Sequence, residues 1–172
     1  GRYLRAIYKP RDGERPLHDF PQGTLYKREY ISYVVSKALG WPDIPLTLIR
    51  EGTYGIGSIQ LYVEYNPEVT YFDLIDNRAE ELRWIAAFDL LVNNADRKAG
   101  HILKHKDGRL QAIDHGLTFH PEPKLRTVLW GWLGEALSEE ERDGVARVLD
   151  GLDGELGQGL AELLGAEEVD AL

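Results

Sequence analysis

The sequence predicts an α+β chain forming one domain of two lobes, β-rich over residues 1–65 and mostly helical over residues 66–172. Three observations carry this. Tyr3 to Tyr8 and Ser58 to Tyr65 are β-branched or aromatic and alternate as strands do. Glu80 to Val92 is a helix rich in Leu, Ile, Ala, Trp and Phe, apolar on most sides and so expected to be buried. Between them Asn66 to Thr70 carries Asn-Pro and little apolar content, as a crossing segment does.

The elements follow in order. The first strand ends at Lys9-Pro10, and Arg11 to Gly23, with two prolines, is a loop. Thr24 is placed to cap a helix running to Leu39, which Gly40 and Pro42 stop. Its apolar stripe is expected from Leu25, Tyr33, Val34, Val35, Ala38 and Leu39. Pro45 to Arg50 is a short strand, and Glu51 to Gly57 is the turn into the strand at Ser58. Ile102–Lys104 and Leu110–Ile113 are two strands joined at Lys106-Asp107-Gly108, a hairpin signal. Leu125 to Leu137 is apolar and Trp-rich, and Trp130 and Trp132 are expected in the core. Ser138 with Glu141 makes a capping box for a further helix, and the acidic tail alternates helical pieces with Gly.

Composition removes several classes of function. A net charge of −9 argues against nonspecific nucleic-acid binding and against adhesion to anionic membrane. With no cysteine there are no disulfides, no thiolate zinc site and no Cys nucleophile, which fits a reducing, cytoplasmic location. No apolar run is long enough to span a bilayer, and no signal peptide is visible. The chain opens at Gly1 and contains no Met, and residues 1–10 resemble strand from mid-domain, so further strands upstream are expected.

The chemistry concentrates at Asn93-Asn94-Ala95-Asp96-Arg97-Lys98-Ala99-Gly100-His101 and at Ile113-Asp114-His115-Gly116. An Asp-Arg pair opens a turn, and a side chain that can bind metal follows five residues later. A hairpin then leads to a second Asp set between an apolar strand and a Gly. Phosphoryl transfer needs these parts: one carboxylate to orient the attacking hydroxyl, and a second carboxylate with another ligand to hold the ions that neutralise phosphate charge. Structural acids at turn starts are common, but the pair with Arg97 and His101 points to a site. Lys9 at a strand end and Glu29 on the next helix match the way kinases fix an amine against nucleotide phosphates. Leu61, Tyr62, Val63 and Glu64 offer strand-end backbone and apolar walls for a nucleotide base. His101 is a softer ligand than an amide oxygen and suits Mn or Zn better than Mg. Lys124 and Arg126 are either a solvated basic pair or a meeting point for an anionic substrate.

These stretches, with Ala6–Glu14 and Gly57–Glu64, resemble the phosphatidylinositol 3/4-kinase superfamily, and within it most the type II phosphatidylinositol 4-kinases and their bacterial relatives. The resemblance spans about residues 3–120. It implies a bilobal, protein-kinase-like fold that binds ATP with Mg or Mn. It implies Lys9 on the phosphates with Glu29 as its helix partner, the base at Leu61 to Glu64, Asp96 with Arg97 as the catalytic pair, and Asp114 with His101 on the metal. The family pattern has His where Lys98 stands, Asn where His101 stands, and Phe where His115 stands. The expected activity is transfer of the ATP γ-phosphate to a hydroxyl of an inositol lipid, a protein or a small alcohol. The alternatives are a nucleotide-binding pseudokinase and an enzyme transferring AMP on the same fold. No nucleic-acid partner is expected, and nothing in the sequence supports peripheral membrane contact.

Overall fold

A computed structural model describes residues 3–172, so the first two residues of the stretch read as mid-domain strand lie outside the described residues. It holds two antiparallel sheets and six α-helices among those residues. The first sheet has β1 (Ala6–Pro10), β2 (Thr47–Gly52) and β3 (Gly55–Leu61) in the order β1-β3-β2. Tyr3 and Leu4, expected within the first strand, stand outside it and are exposed, because β1 pairs with β3 only from Ala6 opposite Leu61 to Pro10 opposite Gly57. The partner strand, not the local pattern, sets where a strand begins.

Helix α1 (Leu25–Leu39) ends where predicted, at Gly40, whose left-handed φ of 88° lets its N–H reach the Ser36 carbonyl. Its buried stripe keeps the expected Val35 and Leu39 and adds Ile31. Ile31, Val35 and Leu39 face the core, whereas Tyr33 and Ala38 are only partly covered. A second, polar stripe of Arg28, Glu29, Ser32 and Ser36 is also buried. Arg28 donates to the Thr118 carbonyl at 2.6 Å and pairs with Glu168, tying α1 to the segment after Asp114 and to the C-terminus. On the sheet, Lys9 lies opposite Ser58 and Ser58 opposite Ile49, with Ile7, Gln60 and Thr47 on the same face. That face meets α1: Thr47, Ser58 and Gln60 are buried. The backbones of β1 and β3 approach so closely at Gly57 that a Cβ there would sit 2.4 Å from the Lys9 carbonyl oxygen.

A four-residue helix α2 (Tyr71–Leu74) is capped by Thr70 and Asp73. It leads to α3 (Ala79–Leu91), whose Leu82, Ile85 and Phe88 are fully buried in the main core. The second sheet is the predicted hairpin of β4 (Ile102–Lys104) and β5 (Leu110–Ala112). A bridge between Tyr65 and His105, and the Lys106 N–H on the Glu64 carbonyl at 3.0 Å, tie this hairpin to the segment that follows β3.

Residues 125–137 form turns rather than a buried element, and Trp130 is half exposed, against the expectation that both tryptophans fill the core. Trp132 does pack at the core's edge. Helix α4 (Glu139–Leu152) starts with the predicted box, Ser138 taking the Glu141 N–H at 3.1 Å. Then α5 (Glu155–Ala161) and α6 (Ala166–Asp170) close the chain. No described helix is long and apolar enough to cross a membrane.

α4 lies against the end of α1 through Gly144, where a Cβ would meet Trp41 Nε1 at 2.6 Å and the Leu39 carbonyl oxygen at 3.0 Å. Backbone and a fully packed indole cannot both retreat. Gly144→Ala should therefore lose about 1–3 kcal/mol despite alanine's better helix propensity. Urea unfolding checks this, and an unchanged or raised midpoint would show that the two helices can separate freely.

Candidate functional site

The end of β1, the middle of α1 and the exit from β5 converge on one ion-paired cluster. The Lys9 ammonium pairs with Glu29 and sits 2.8 Å from Asp114 Oδ1. Glu29 Oε2 also accepts the His115 N–H at 3.1 Å, so one buried carboxylate ties the strand lysine to the backbone just past Asp114. The other oxygen of Asp114, Oδ2, faces His101 Nε2 at 3.1 Å. Asp114 holds a left-handed φ of 63°, a conformation costly for a non-glycine residue and concentrated at functional sites.

Burial alone would lower the Lys9 pKa, but Glu29 and Asp114 outweigh it and leave the ammonium raised. Burial pushes Glu29 up, with Lys9 opposing. Burial would also raise Asp114, yet Lys9 and then His101 hold it below the usual carboxylate range. Lys9 is therefore a fixed cation, and Asp114 a fixed anion whose side chain is still 44% exposed to an incoming ligand.

Asp96 follows α3 through a short loop that lies along residues 117–126. Ala95 N–H donates to the Leu117 carbonyl at 2.8 Å, Arg97 N–H to the Arg126 carbonyl at 2.9 Å, and Arg126 N–H to the Asn94 carbonyl at 2.9 Å. Asp96 lines the same cleft as Lys9, Glu29 and Asp114, a space of roughly 390 Å³ walled by Leu17, Leu25 and Leu117. Its carboxylate is occupied by Lys98 at 2.6 Å and Arg126 at 3.1 Å.

Arg97 is not at this surface. Its guanidinium is fully buried, forked onto Asp89 at 2.8 and 2.9 Å, and it donates to the carbonyls of Ile113 at 2.9 Å and His101 at 3.2 Å. The expectation of a catalytic Arg97 is corrected to a positioning role: with its donors engaged below the cleft, it sets the backbone that presents Asp114 and His101. Asp89, which was not singled out from sequence, is the missing partner. The signal was there, since an acid in a helix apolar on most sides must be buried and therefore paired.

The four residues expected against a nucleotide base lie elsewhere than on the cleft wall around Lys9. Leu61 N–H goes to the Leu46 carbonyl at 2.8 Å and Tyr62 N–H to the Arg5 carbonyl at 2.9 Å. Val63 is buried, and Glu64 pairs with Lys106. Register places Leu61 three residues along β3 from Ser58, the partner of Lys9. That is roughly 10 Å along the strand.

Two donors converge on a candidate metal position, the Asp114 carboxylate and His101 Nε2. No cluster of three or more acidic or histidine side chains among the described residues is set to hold a cation. The pair fits an ion that takes most of its shell from phosphate oxygens and water, as Mg and Mn do at phosphoryl-transfer sites. Burial, partly opposed by Asp114, holds His101 below its ordinary pKa, so the imidazole is the neutral form a metal requires.

His115 is wholly buried beneath the cleft, edge-on to Phe88, with Nε2 2.7 Å from Arg97 Nη2. Arg97 can only donate, so Nε2 accepts and the proton is on Nδ1, which has no partner. Burial, then the Arg97 charge, pushes His115 well below its ordinary pKa. Both His101 and His115 therefore bind protons more readily in the unfolded chain, and stability is lost as pH falls below about 6.5. Each contributes at most about 1.4 kcal/mol per pH unit in that window. Glu29, with its raised carboxyl, has the opposite sign, so a comparison isolates the histidine share. His115→Phe should shrink the loss of unfolding free energy between pH 7.5 and 5.5 measured in urea, and an unaltered slope would place the linkage elsewhere.

No family model matches the chain. Among curated proteins it is 41% identical over 206 residues to Protein Rv2133c of Mycobacterium tuberculosis (strain ATCC 25618 / H37Rv), across 99% of this chain and 74% of that protein. It is 35% identical over 164 residues to Phosphatidylinositol 4-kinase gamma 4 of Oryza sativa subsp. japonica, across 74% of this chain but 29% of that protein.

Proposed function

We propose that this chain, which belongs to the family of Protein Rv2133c from Mycobacterium tuberculosis, is an ATP-dependent phosphotransferase on a bilobal, protein-kinase-like fold. The observation that carries the reading is the Lys9 ammonium held between Glu29 and Asp114, with Asp96 on the wall of the same cleft. The partial similarity to a plant phosphatidylinositol 4-kinase supports it.

In this reading Lys9, kept charged by two carboxylates, meets the nucleotide phosphates. Segment 61–64 takes the base, starting three residues along β3 from the partner of Lys9. Asp114 and His101 would hold the cation, which when bound would supply charge neutralisation for the transferring phosphoryl group. Asp96 accepts the proton of the acceptor hydroxyl. A bond forms between the acceptor oxygen and the γ-phosphorus, the bond from that phosphorus to the β-phosphate oxygen breaks, and ADP leaves. Arg97 keeps Asp114 and His101 in register from below through the Ile113 and His101 carbonyls.

The experiment is ATP consumption with Mg or Mn, with and without candidate alcohols, followed by mass spectrometry of the product. The expected result is metal-dependent ADP formation and an acceptor heavier by one phosphate. An acceptor heavier by AMP, or no consumption with either metal, would overturn the proposal.

A further inference from the structure

We propose that Arg28 is a positioning residue: it seats α1 so that Glu29 meets Lys9, and it is itself held in place by Glu168 of α6. The inference rests on the phosphotransfer reading for the ligand of the positioned groups, and on the contacts alone for the link from α6 to Glu29.

The Arg28 side chain is wholly buried, and each nitrogen of its guanidinium goes to a different part of the chain. Nε donates to Thr24 Oγ1 at 3.2 Å, Nη1 donates to the Thr118 carbonyl at 2.6 Å, and Nη2 pairs with Glu168. The guanidinium carbon also lies 5.1 Å from the centre of the Phe20 ring, in the loop that gives Leu17 to the cleft wall. One turn further along α1, Ser32 Oγ lies 3.3 Å from Thr118 Oγ1, and that hydroxyl donates to the His115 carbonyl at 2.8 Å. Arg28 and Ser32 therefore seat the helix on the segment that follows Asp114. Glu29 is one residue on from Arg28, about 100° round the helix. It reaches Lys9 and the His115 N–H. A slide or turn of α1 that breaks the Arg28 seat takes Glu29 off both.

The seat depends on distant chain. A buried guanidinium needs an anion. Glu29 is committed to Lys9, and the acid that answers Arg28 comes from 140 residues further along. Glu168 stands in a helix of five residues, too short to hold itself together. Its other oxygen accepts the Gly165 N–H at 2.8 Å, and Val169 and Leu172 rest against the edge of the core. α1 and α6 thus hold each other through one ion pair. When α6 leaves, Arg28 keeps its charge and loses its anion. The helix must then shift to bring water to the guanidinium, and Glu29 moves with it. Lys9 is left to Asp114 alone, so the seating of α6 is coupled to the readiness of the site.

Glu168, with a side chain 12% exposed, is the place to cut this link, because removing the buried Arg28 would threaten the fold. ATP with Mn is titrated calorimetrically into the wild type, Glu168→Gln, Glu29→Gln and the double variant, well below the melting temperature of each. Glu168→Gln should weaken binding about two- to tenfold, and Glu168→Asp should recover part of the loss. In the Glu29→Gln background the same change should do nothing further, because the link no longer ends on an acid. A merely structural contribution would instead add in full. Exchange of the His115 amide, followed by NMR without nucleotide, gives a second readout, with the Ile85 and Phe88 amides of α3 as the standard for global opening. Glu168→Gln should speed exchange at His115 and leave the α3 amides unchanged. Wild-type affinity in Glu168→Gln, full additivity with Glu29→Gln, or His115 exchange that moves only with α3 would overturn the inference. If the wild type does not bind ATP with Mn while His115 exchange responds as expected, the phosphotransfer reading falls and the link from α6 to Glu29 stands.

Discussion

Asp114→Asn should lower turnover on the order of a thousandfold while the fold survives. The carboxylate supplies the acidic oxygens of the two-donor candidate metal position, and it also pairs with Lys9. Losing a metal ligand removes several kcal/mol of stabilisation of developing phosphate charge, and about 1.4 kcal/mol is tenfold in rate. Asparagine is the right replacement because position 114 sits at φ 63°, which Asn tolerates and Ala does not. The amide keeps the shape and loses the charge, so Lys9 still has Glu29. Circular dichroism should be unchanged, and metal-dependent nucleotide affinity should fall along with turnover. If Asp114→Asn turns over like the wild type, the ion is held elsewhere and the assignment of this residue fails.

What could be read in the sequence was whatever is settled by a few neighbouring residues. Gly40 ended α1, Ser138 and Glu141 opened α4, and Asp107-Gly108 turned the β4–β5 hairpin, because caps and turns are local hydrogen-bonding problems with local answers. The meeting of Lys9 with Glu29 was legible for another reason: alone each could be solvated, and the pair gained weight from the order of strand Lys, helix Glu, Asp loop, hairpin and second Asp along the chain. What stayed hidden depends on distant chain. The four residues of α2 are too few to show a period, and residues 125–137 are apolar without saying which side faces out, so Trp130 was misplaced. The polar stripe of α1 was not singled out in the sequence, and Arg28 is buried because Thr118 and Glu168 come to it from far along the chain. Arg97 shows the same limit at the site itself. Its neighbours in sequence suggest chemistry, and only the fold reveals that Asp89 takes it below the surface.

That burial makes Arg97 the residue whose loss should cost the most stability. Arg97→Met leaves Asp89 as a charge with 0% side-chain exposure and no cation, although Asn94 still donates to it at 2.8 Å. Removing one partner of a buried pair costs about 3–5 kcal/mol. For a domain of this size roughly 2–4 °C is lost per kcal/mol, so the melting temperature should drop by about 10 °C. Arg97→Lys should recover little, since one ammonium cannot fork onto Asp89 and also serve Ile113, His101 and His115. The double change Arg97→Met with Asp89→Leu should regain most of the stability, because two apolar side chains need no partner. It should not regain function: the Ile113 and His101 carbonyls still lack the donor that sets Asp114 and His101, so turnover should stay low at temperatures where the variant is folded. Calorimetry and turnover on the same samples separate the two effects. If Arg97→Met melts within a degree or two of the wild type, the buried pair does not hold this loop. If the stabilised double variant turns over normally, Arg97 serves only the fold and not the site above it.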